Sequence, residues 1–395
     1  MSPRILILTA GFGEGHNAAA RALAAAFDAL GGAGTARVAD AFELAAPRCN
    51  AVARRSYLGL INRAPWLWSA AYRWMHRSTL LPGLLRSLRR ERRVLARLLA
   101  EERPAAVCAT YPVYSYLWQA LVRERRMDAP CFNVVTDSIS INSVWWRAGA
   151  DAWFVPNDES AEVMREAGVD ERRLHVAGFP VPEFFAAEEG KLSPPDLAAG
   201  ATPRVLYIIN SRVPEAAHTA RLLLSETDWE VTCTVGRNER LRRELEELAN
   251  YRRAETRIVG WTGGIPRLLM THHVVISKAG GATTQEALAA RCPMIVNQIV
   301  PGQEEGNWEL LRRHGIGALA TTARQVVAEL DAAFADGGRG WRCWRTALAP
   351  LSRPRAAHDI ATAVLARTGC LAAIEPIPLP LRAGGATARF ALRRP

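Results

Sequence analysis

Short apolar runs alternate along this chain with longer stretches in which apolar positions recur at helical spacing. The runs at 4–9, 36–40, 105–109, 132–136 and 152–156 are each followed by a loop or a helical pattern. An apolar run without polar alternation, bounded by turn residues, predicts a strand buried on both faces, as in a parallel sheet. A second series of the same kind begins at 205–209 and continues at 231–235, 257–259, 274–277 and 294–297. Two strand–helix series predict an α/β protein with two Rossmann-like parallel-sheet domains facing a cleft. Periodicity is lost over 183–203, which carries Glu188-Glu189-Gly190-Lys191 and Ser193-Pro194-Pro195. That segment is expected to link a first domain, 1–182, to a second, 204–352. Residues 51–102 interrupt the first series with a helical insertion longer than an ordinary crossover. The end of the chain, 371–395, is proline-rich and then glycine-rich, and is expected to be poorly ordered.

Charge gives the insertion a character of its own. Residues 48–126 hold sixteen arginines, no lysine and four acids (Glu91, Glu101, Glu102 and Glu124), enough to account for the whole formal excess of +11. Lys191 and Lys278 are the only lysines in the chain, so arginine is the general choice of cation, but the scarcity of acids is local. Trp66, Trp68, Tyr72 and Trp74 sit among these arginines with Leu67, Leu80, Leu81, Leu84 and Leu85. Rings, leucines and arginines at helical spacing suit a helix lying in an anionic membrane surface. Trp66, Trp68, Trp74, Arg89, Arg90, Arg92 and Arg93 are the residues expected to dock there; a packed excursion with a solvated basic face is the alternative. No nucleic-acid-binding module accompanies the charge, so no nucleic acid partner is expected. No apolar run approaches the ~18–20 residues of a membrane span. The first run leads into a glycine loop and a helix, and reads as a strand and not as a signal peptide. Seven scattered cysteines without a Cys-x-x-Cys pair read as reduced thiols. The expected location is therefore cytoplasmic, peripheral on the inner membrane face.

Two glycine-bearing segments carry candidate chemistry. Residues 276–307 read ISKAGGATTQEALAARCPMIVNQIVPGQEEGN, a strand, a glycine turn, a helix and a second strand. Gly280 and Gly281 let a ligand approach the backbone where the helix begins, and its free N–H groups and dipole form an anion site flanked by Lys278, Thr283 and Thr284. Glu286, about one turn into the helix, is within reach of ribose hydroxyls. The loop 301–307 lies at the carboxyl edge of the same sheet and supplies Gln303, Glu304 and Asn307. Phosphate, ribose and a polyhydroxyl group in sequence describe a nucleotide sugar. The other segment, Gly11-Phe12-Gly13-Glu14-Gly15-His16, follows the first strand and opens a helix, with Gly13 and Gly15 admitting substrate. An NAD-binding fingerprint would need glycine at position 16, although Asp40 at the end of the second strand resembles a ribose-binding acid. His16 reads as a base: the helix dipole keeps its imidazole neutral, ready to take a proton from an acceptor hydroxyl. Capping or packing is the alternative role. Asp137, at a strand end, would orient His16 or bind acceptor. The chain contains no Asp-x-Asp and no metal-ligand spacing, so no metal or other cofactor is expected. The helix at Gly281 would stabilise a leaving diphosphate in its place.

Together these motifs resemble those of the inverting glycosyltransferases that include monogalactosyldiacylglycerol synthases, processive diacylglycerol glucosyltransferases and the N-acetylglucosaminyl transferase that makes lipid II. The resemblance covers 9–23, 276–307 and more loosely 134–182, and spans most of 1–370. It implies a GT-B fold, a helix within 353–370 returning to the first domain, and His16 at the reaction centre. It also implies that the turn Val259-Gly260-Trp261 holds the donor's base through backbone groups, while Trp261 serves either there or in the core. The implied activity is transfer of a hexose from a UDP-sugar donor to a lipid acceptor, diacylglycerol before a polyprenyl-linked lipid. Relatives usually carry a histidine a few residues after Thr136-Asp137; here Asn142 is the candidate for that place. They carry a glycine-rich turn where this chain has Asn210-Ser211-Arg212, and Ser211 or Arg212 is expected to face the diphosphate. Rivals from other classes are a UDP-sugar epimerase, which would need no lipid, and a nucleotide-sugar-binding protein, which would not turn over.

Overall fold

The computed structural model describes residues 4–124, 127–209, 214–302 and 304–369. The first series of apolar runs forms β1 (Ile5–Leu8), β2 (Ala36–Ala39), β3 (Ala106–Ala109), β4 (Cys131–Val134), β5 (Ala152–Val155) and β6 (Leu174–Val176). These pair in the order β2-β1-β3-β4-β5-β6, all parallel. The second series forms β7 (Arg204–Ile208), β8 (Glu230–Gly236), β9 (Thr256–Gly260), β10 (Val274–Lys278), β11 (Met294–Gln298) and β12 (Ala318–Leu319). Their order is β12-β11-β10-β7-β8-β9, again all parallel. Every residue of β1, β3, β4 and β5 is buried, because helices cover both faces, and so these strands read as unbroken apolar runs. Strand order reverses between β1 and β3 and again between β7 and β10. A parallel sheet opens a crevice at such a reversal, outside the carboxyl ends of its strands.

The segment 183–203 is packed and not free. Phe185, in the short helix Phe184–Ala187, and Leu197 are both buried in the core of the second domain. Its lost periodicity reflects an irregular path. Farther on, helix Ala356–Arg367 lies beside helix Glu14–Gly31, and its Ile360, Ala361 and Val364 join Leu23 and Phe27 in the core of the first sheet. Residues 371–395, the expected tail, lie outside the described residues.

The insertion breaks into helices Pro47–Arg63, Pro65–Arg77, Leu81–Arg86 and Arg89–Glu102, the first three with proline in the opening turn, where its missing N–H costs nothing. Two expectations about it need correcting. Helix Arg89–Glu102 turns Leu95, Leu98 and Leu99 into the first domain's core. At about 1.5–3 kcal/mol per buried leucine, freeing that face for a membrane would cost roughly 5–9 kcal/mol. Its outward surface carries no aromatic side chain: Arg89, Arg90, Arg93 and Arg97 are exposed, with Ala100 and Glu101. Arg92 is engaged within the fold, pairing with Glu124 at 3.2 Å and donating to the Arg86 carbonyl. Trp68 is likewise packed, its ring edge-on to Tyr57 at 4.9 Å. The exposed large apolar side chains are Trp66 (68%), Trp74 (54%) and Leu80 (73%), with Val52, Leu67 and Leu84. Met75, Leu81 and Leu85 anchor the same helices on Tyr116, Val144 and Ala148. No helix among the described residues is long and apolar enough to cross a membrane.

Candidate active site between the two domains

β1 ends in the glycine loop, and Gly13, with φ at 126°, takes the N-cap position of helix Glu14–Gly31 in a conformation that side chains avoid. His16 therefore stands in the first turn, at the crevice between β1 and β3. Its Nδ1–H donates to the Thr110 carbonyl at 2.8 Å, and Thr136 Oγ1 lies at the same distance from that nitrogen. A carbonyl can only accept, so Nδ1 carries the proton and Nε2 keeps its lone pair. Burial lowers the imidazole pKa from 6.5 to about 4 against the smaller opposing effect of the Thr110 bond. Tyr111 lies edge-on to the ring at 5.1 Å. The result is a neutral imidazole in a fixed tautomer with one basic nitrogen.

Asp137 ends the run after β4 but does not hydrogen-bond His16, so the orienting role expected of it belongs to Thr110 and Thr136. Its Oδ2 accepts from Trp145 Nε1 at 2.8 Å, and burial raises its pKa to about 6 despite that bond. Asn142 is engaged by its own loop and by the insertion: it accepts from Val144 N–H and donates to the Tyr72 carbonyl. Asp40 is committed too, accepting from Gly11 N–H through Oδ2 and from Phe42 and Glu43 N–H through Oδ1. Those three backbone bonds give Asp40 a structural role, holding the glycine loop and capping the helix that starts at Ala41.

In the second domain, Gly280 caps helix Gly281–Ala289 without any side-chain cap, so the first N–H groups are left to a ligand. Thr283 lies in that first turn, whereas Thr284 is buried and its hydroxyl points to Met294 Sδ. Glu286 follows on the same helix. Burial pushes its carboxyl up to about 7, and Arg21 of the first domain works against that rise. Lys278 Nζ is paired with Glu304 Oε1, while Glu304 Oε2 accepts from Val300 N–H. The lysine's charge is thus partly met inside the loop it was expected to complement. Asn307 donates to the Ala279 carbonyl at 2.9 Å and leaves its buried Oδ1 without a partner. Gly260 ends β9, and Trp261 beyond it is 73% exposed under the Arg237 guanidinium, which rules out core packing. Ser211, Arg212 and Gln303 lie outside the described residues. So does Cys370; the six described cysteines are all free thiols.

The two domains bring these features face to face. A Cβ on Gly15 would sit 3.9 Å from the Ala282 nitrogen, and one on Gly281 would sit 3.4 Å from the Thr136 carbonyl oxygen. Two helix starts therefore meet across the cleft, one bearing a neutral imidazole and the other bare backbone N–H groups. Thr110, Thr136, Trp145, Tyr111 and Arg21 complete the arrangement and were not singled out by motif. The positions of Thr110 and Thr136 just past the ends of β3 and β4 were the available signal.

Residues 16–181 match the family model described as monogalactosyldiacylglycerol (MGDG) synthase. Over 391 residues, 96% of this chain and 97% of the relative, the sequence is 25% identical to a processive diacylglycerol beta-glucosyltransferase of Bacillus cereus (strain AH820). The same figures hold for a protein of that name from Bacillus anthracis (strain A0248). Among solved structures, MurG of Acinetobacter baumannii aligns with a TM-score of 0.59 at 12% identity, over 92% of this chain and 99% of that one. A UDP-GlcNAc 2-epimerase from Neisseria meningitidis bound to UDP-GlcNAc gives 0.56 at 10% identity, over 92% and 100%. Two six-stranded parallel sheets facing a cleft, in this likeness, are the GT-B arrangement. At such identities a shared fold carries no function by itself.

Proposed function

We propose that the protein is a glycosyltransferase that moves a hexose from a UDP-sugar to the free hydroxyl of diacylglycerol, with inversion and without a metal. The observation that carries this reading is the meeting of His16 with the helix that starts at Gly281, one from each domain. A diphosphate held on the N–H groups of that helix leaves toward the second domain. As it leaves, a hydroxyl whose proton passes to His16 Nε2 attacks from the opposite side, and displacement in line inverts the anomeric carbon. Charge that develops on the diphosphate meets dipoles already in position, which is the work a metal ion does in other transferases. Glu286 takes the ribose hydroxyls, Glu304 and Asn307 the sugar, and the backbone at Gly260 the base.

Diacylglycerol is favoured over a polyprenyl-linked lipid because the full-length relatives are named for it. Trp66, Trp74, Leu80 and the outward arginines Arg89, Arg90 and Arg93 support docking on an anionic membrane face, where such an acceptor is reached. Incubation with each UDP-hexose and diacylglycerol, in the presence of EDTA, tests the reading through the mass of the product. The expected result is a hexosyl diacylglycerol from at least one donor. Epimerised UDP-sugar with no lipid product would make the protein an epimerase, and activity only after Mn²⁺ is restored would remove the metal-free mechanism.

A further inference from the structure

The joint between the domains is a strained turn. Ile139 has φ at 52°, a left-handed conformation that a β-branched residue avoids, and Ser140 N–H closes on the Ser138 carbonyl at 2.6 Å. Such a turn persists only where its surroundings hold it. Asn157 donates to Ser138 Oγ at 2.6 Å and Ile139 N–H to Ser160 Oγ at 3.1 Å, both from within the first domain. Gly306 N–H of the second domain donates to Ser140 Oγ at 3.0 Å. The remaining brace comes from the insertion: Tyr72 OH donates to the Ser140 carbonyl at 2.9 Å. The same tyrosine ring lies against Gly302, 3.2 Å from where a Cβ would stand, in the loop assigned above to the sugar.

Tyr72 belongs to helix Pro65–Arg77, which carries Trp66 and Trp74 on its exposed side. That helix is stitched to the segment after the strained turn. Asn142 Nδ2 donates to the Tyr72 carbonyl, Ser143 Oγ to the His76 carbonyl at 2.6 Å, and Arg147 to the Ser78 carbonyl at 2.6 Å. One rigid helix therefore has an outward face for a membrane and an inward tyrosine on the joint and on the sugar-side loop.

We infer that Tyr72 is a positioning residue that couples docking of the Trp66/Trp74 face on an anionic membrane to the ordering of the joint 138–140 and of Gly302 beside it. This rests on the membrane and sugar-loop assignments of the proposed function. A membrane shifts a conformational equilibrium only if it binds one arrangement better. Here a bilayer that favours one tilt of the helix also favours one arrangement of the joint, because Tyr72 and the two indoles share that helix. Docking thus speeds transfer even to an acceptor that is not itself in the bilayer.

The experiment compares the unmodified protein with Tyr72→Phe, which keeps the ring and loses only the hydroxyl. Each is measured with and without vesicles of phosphatidylglycerol in phosphatidylcholine, by sedimentation, by hydrogen exchange over 138–141 and 301–307, and by transfer to a short-chain soluble acceptor. In the unmodified protein, vesicles should slow exchange in both segments and raise the transfer rate about fivefold, the low end of measured coupling between sites. By reciprocity Tyr72→Phe should bind vesicles up to about fivefold more weakly and, at vesicle concentrations that saturate it, show neither change. Full coupling in Tyr72→Phe, or sedimentation of the unmodified protein without either change, would overturn the inference. If the unmodified protein does not sediment at all, the docking assignment fails and the coupling falls with it. Slowed exchange without turnover of any UDP-hexose supports the coupling and places the failure in the substrate assignment.

Discussion

His16 and Glu286 differ from free side chains in opposite directions, and each difference has a measurable sign. Burial takes His16 from 6.5 to about 4, so the folded state binds fewer protons than the unfolded chain between those values. Stability from this group is complete above pH 6.5 and is withdrawn as pH falls toward 4. Titration of the His16 Cε1–H signal by NMR should show an imidazole still neutral at pH 6; an inflection near 6.5 would contradict the buried, carbonyl-held ring. Glu286 is raised to about 7, so between 4.5 and that value the folded state binds more protons and loses stability as pH rises. Ribose hydroxyls favour its charged form, so UDP binding near pH 7 should release a proton, and calorimetry in buffers of differing ionisation enthalpy should detect it. Glu286→Gln should abolish that release, and Glu286→Ala should weaken UDP by roughly 1–3 kcal/mol. Unchanged proton release in Glu286→Gln would assign the ribose contact to another group.

At the scale of elements, the division of the insertion decides what binds what. Helix Pro65–Arg77 offers Trp66 and Trp74 to solvent, so Trp66→Ala with Trp74→Ala should weaken binding even to neutral vesicles, since ring burial does not depend on salt. Reversing Arg89, Arg90 and Arg93 to glutamate should instead lower the preference for anionic vesicles by about 1 kcal/mol for each engaged arginine. Sedimentation of the unmodified protein without any dependence on anionic lipid would leave this surface as a solvated basic face. Leu98→Ala belongs to the core, not the membrane: it should destabilise the fold by about 2–5 kcal/mol in urea and leave vesicle binding alone. Much of this was legible in the chain. Unbroken apolar runs marked the strands, because burial on both faces leaves no polar alternation. Gly13 and Gly280 marked both helix starts, because close approach needs glycine. Which tryptophan faced outward was not legible, since Trp66, Trp68 and Trp74 share one composition and only tertiary packing on Tyr57 turned Trp68 inward. The holders of His16 were hidden for a similar reason: Thr110 and Thr136 are distant in sequence and meet only through the order β1-β3-β4.

For the whole molecule, activity depends on how the two domains are held together. Gly306 lies where they meet: a side chain there would overlap the Ser138 carbonyl oxygen and the Ser140 nitrogen. His314 of the second domain also pairs with Glu159 of the first. Gly306→Ala should therefore pry the joint open, and misplacement on the order of 1 Å costs about 10²-fold in rate. Small-angle scattering should show a larger radius for that variant with unchanged secondary structure; a full rate with an open joint would separate closure from catalysis. In the proposed transfer a base from one domain acts across a donor held by the other, and that arrangement turns on His16. The decisive measurement is the kcat of His16→Ala at saturating UDP-hexose and diacylglycerol, taken beside its affinity for UDP. A loss of about 10²–10⁴ in kcat, with UDP affinity unchanged because the donor contacts lie in the second domain, is the expected result. Transfer at the unmodified rate would exclude His16 as the base.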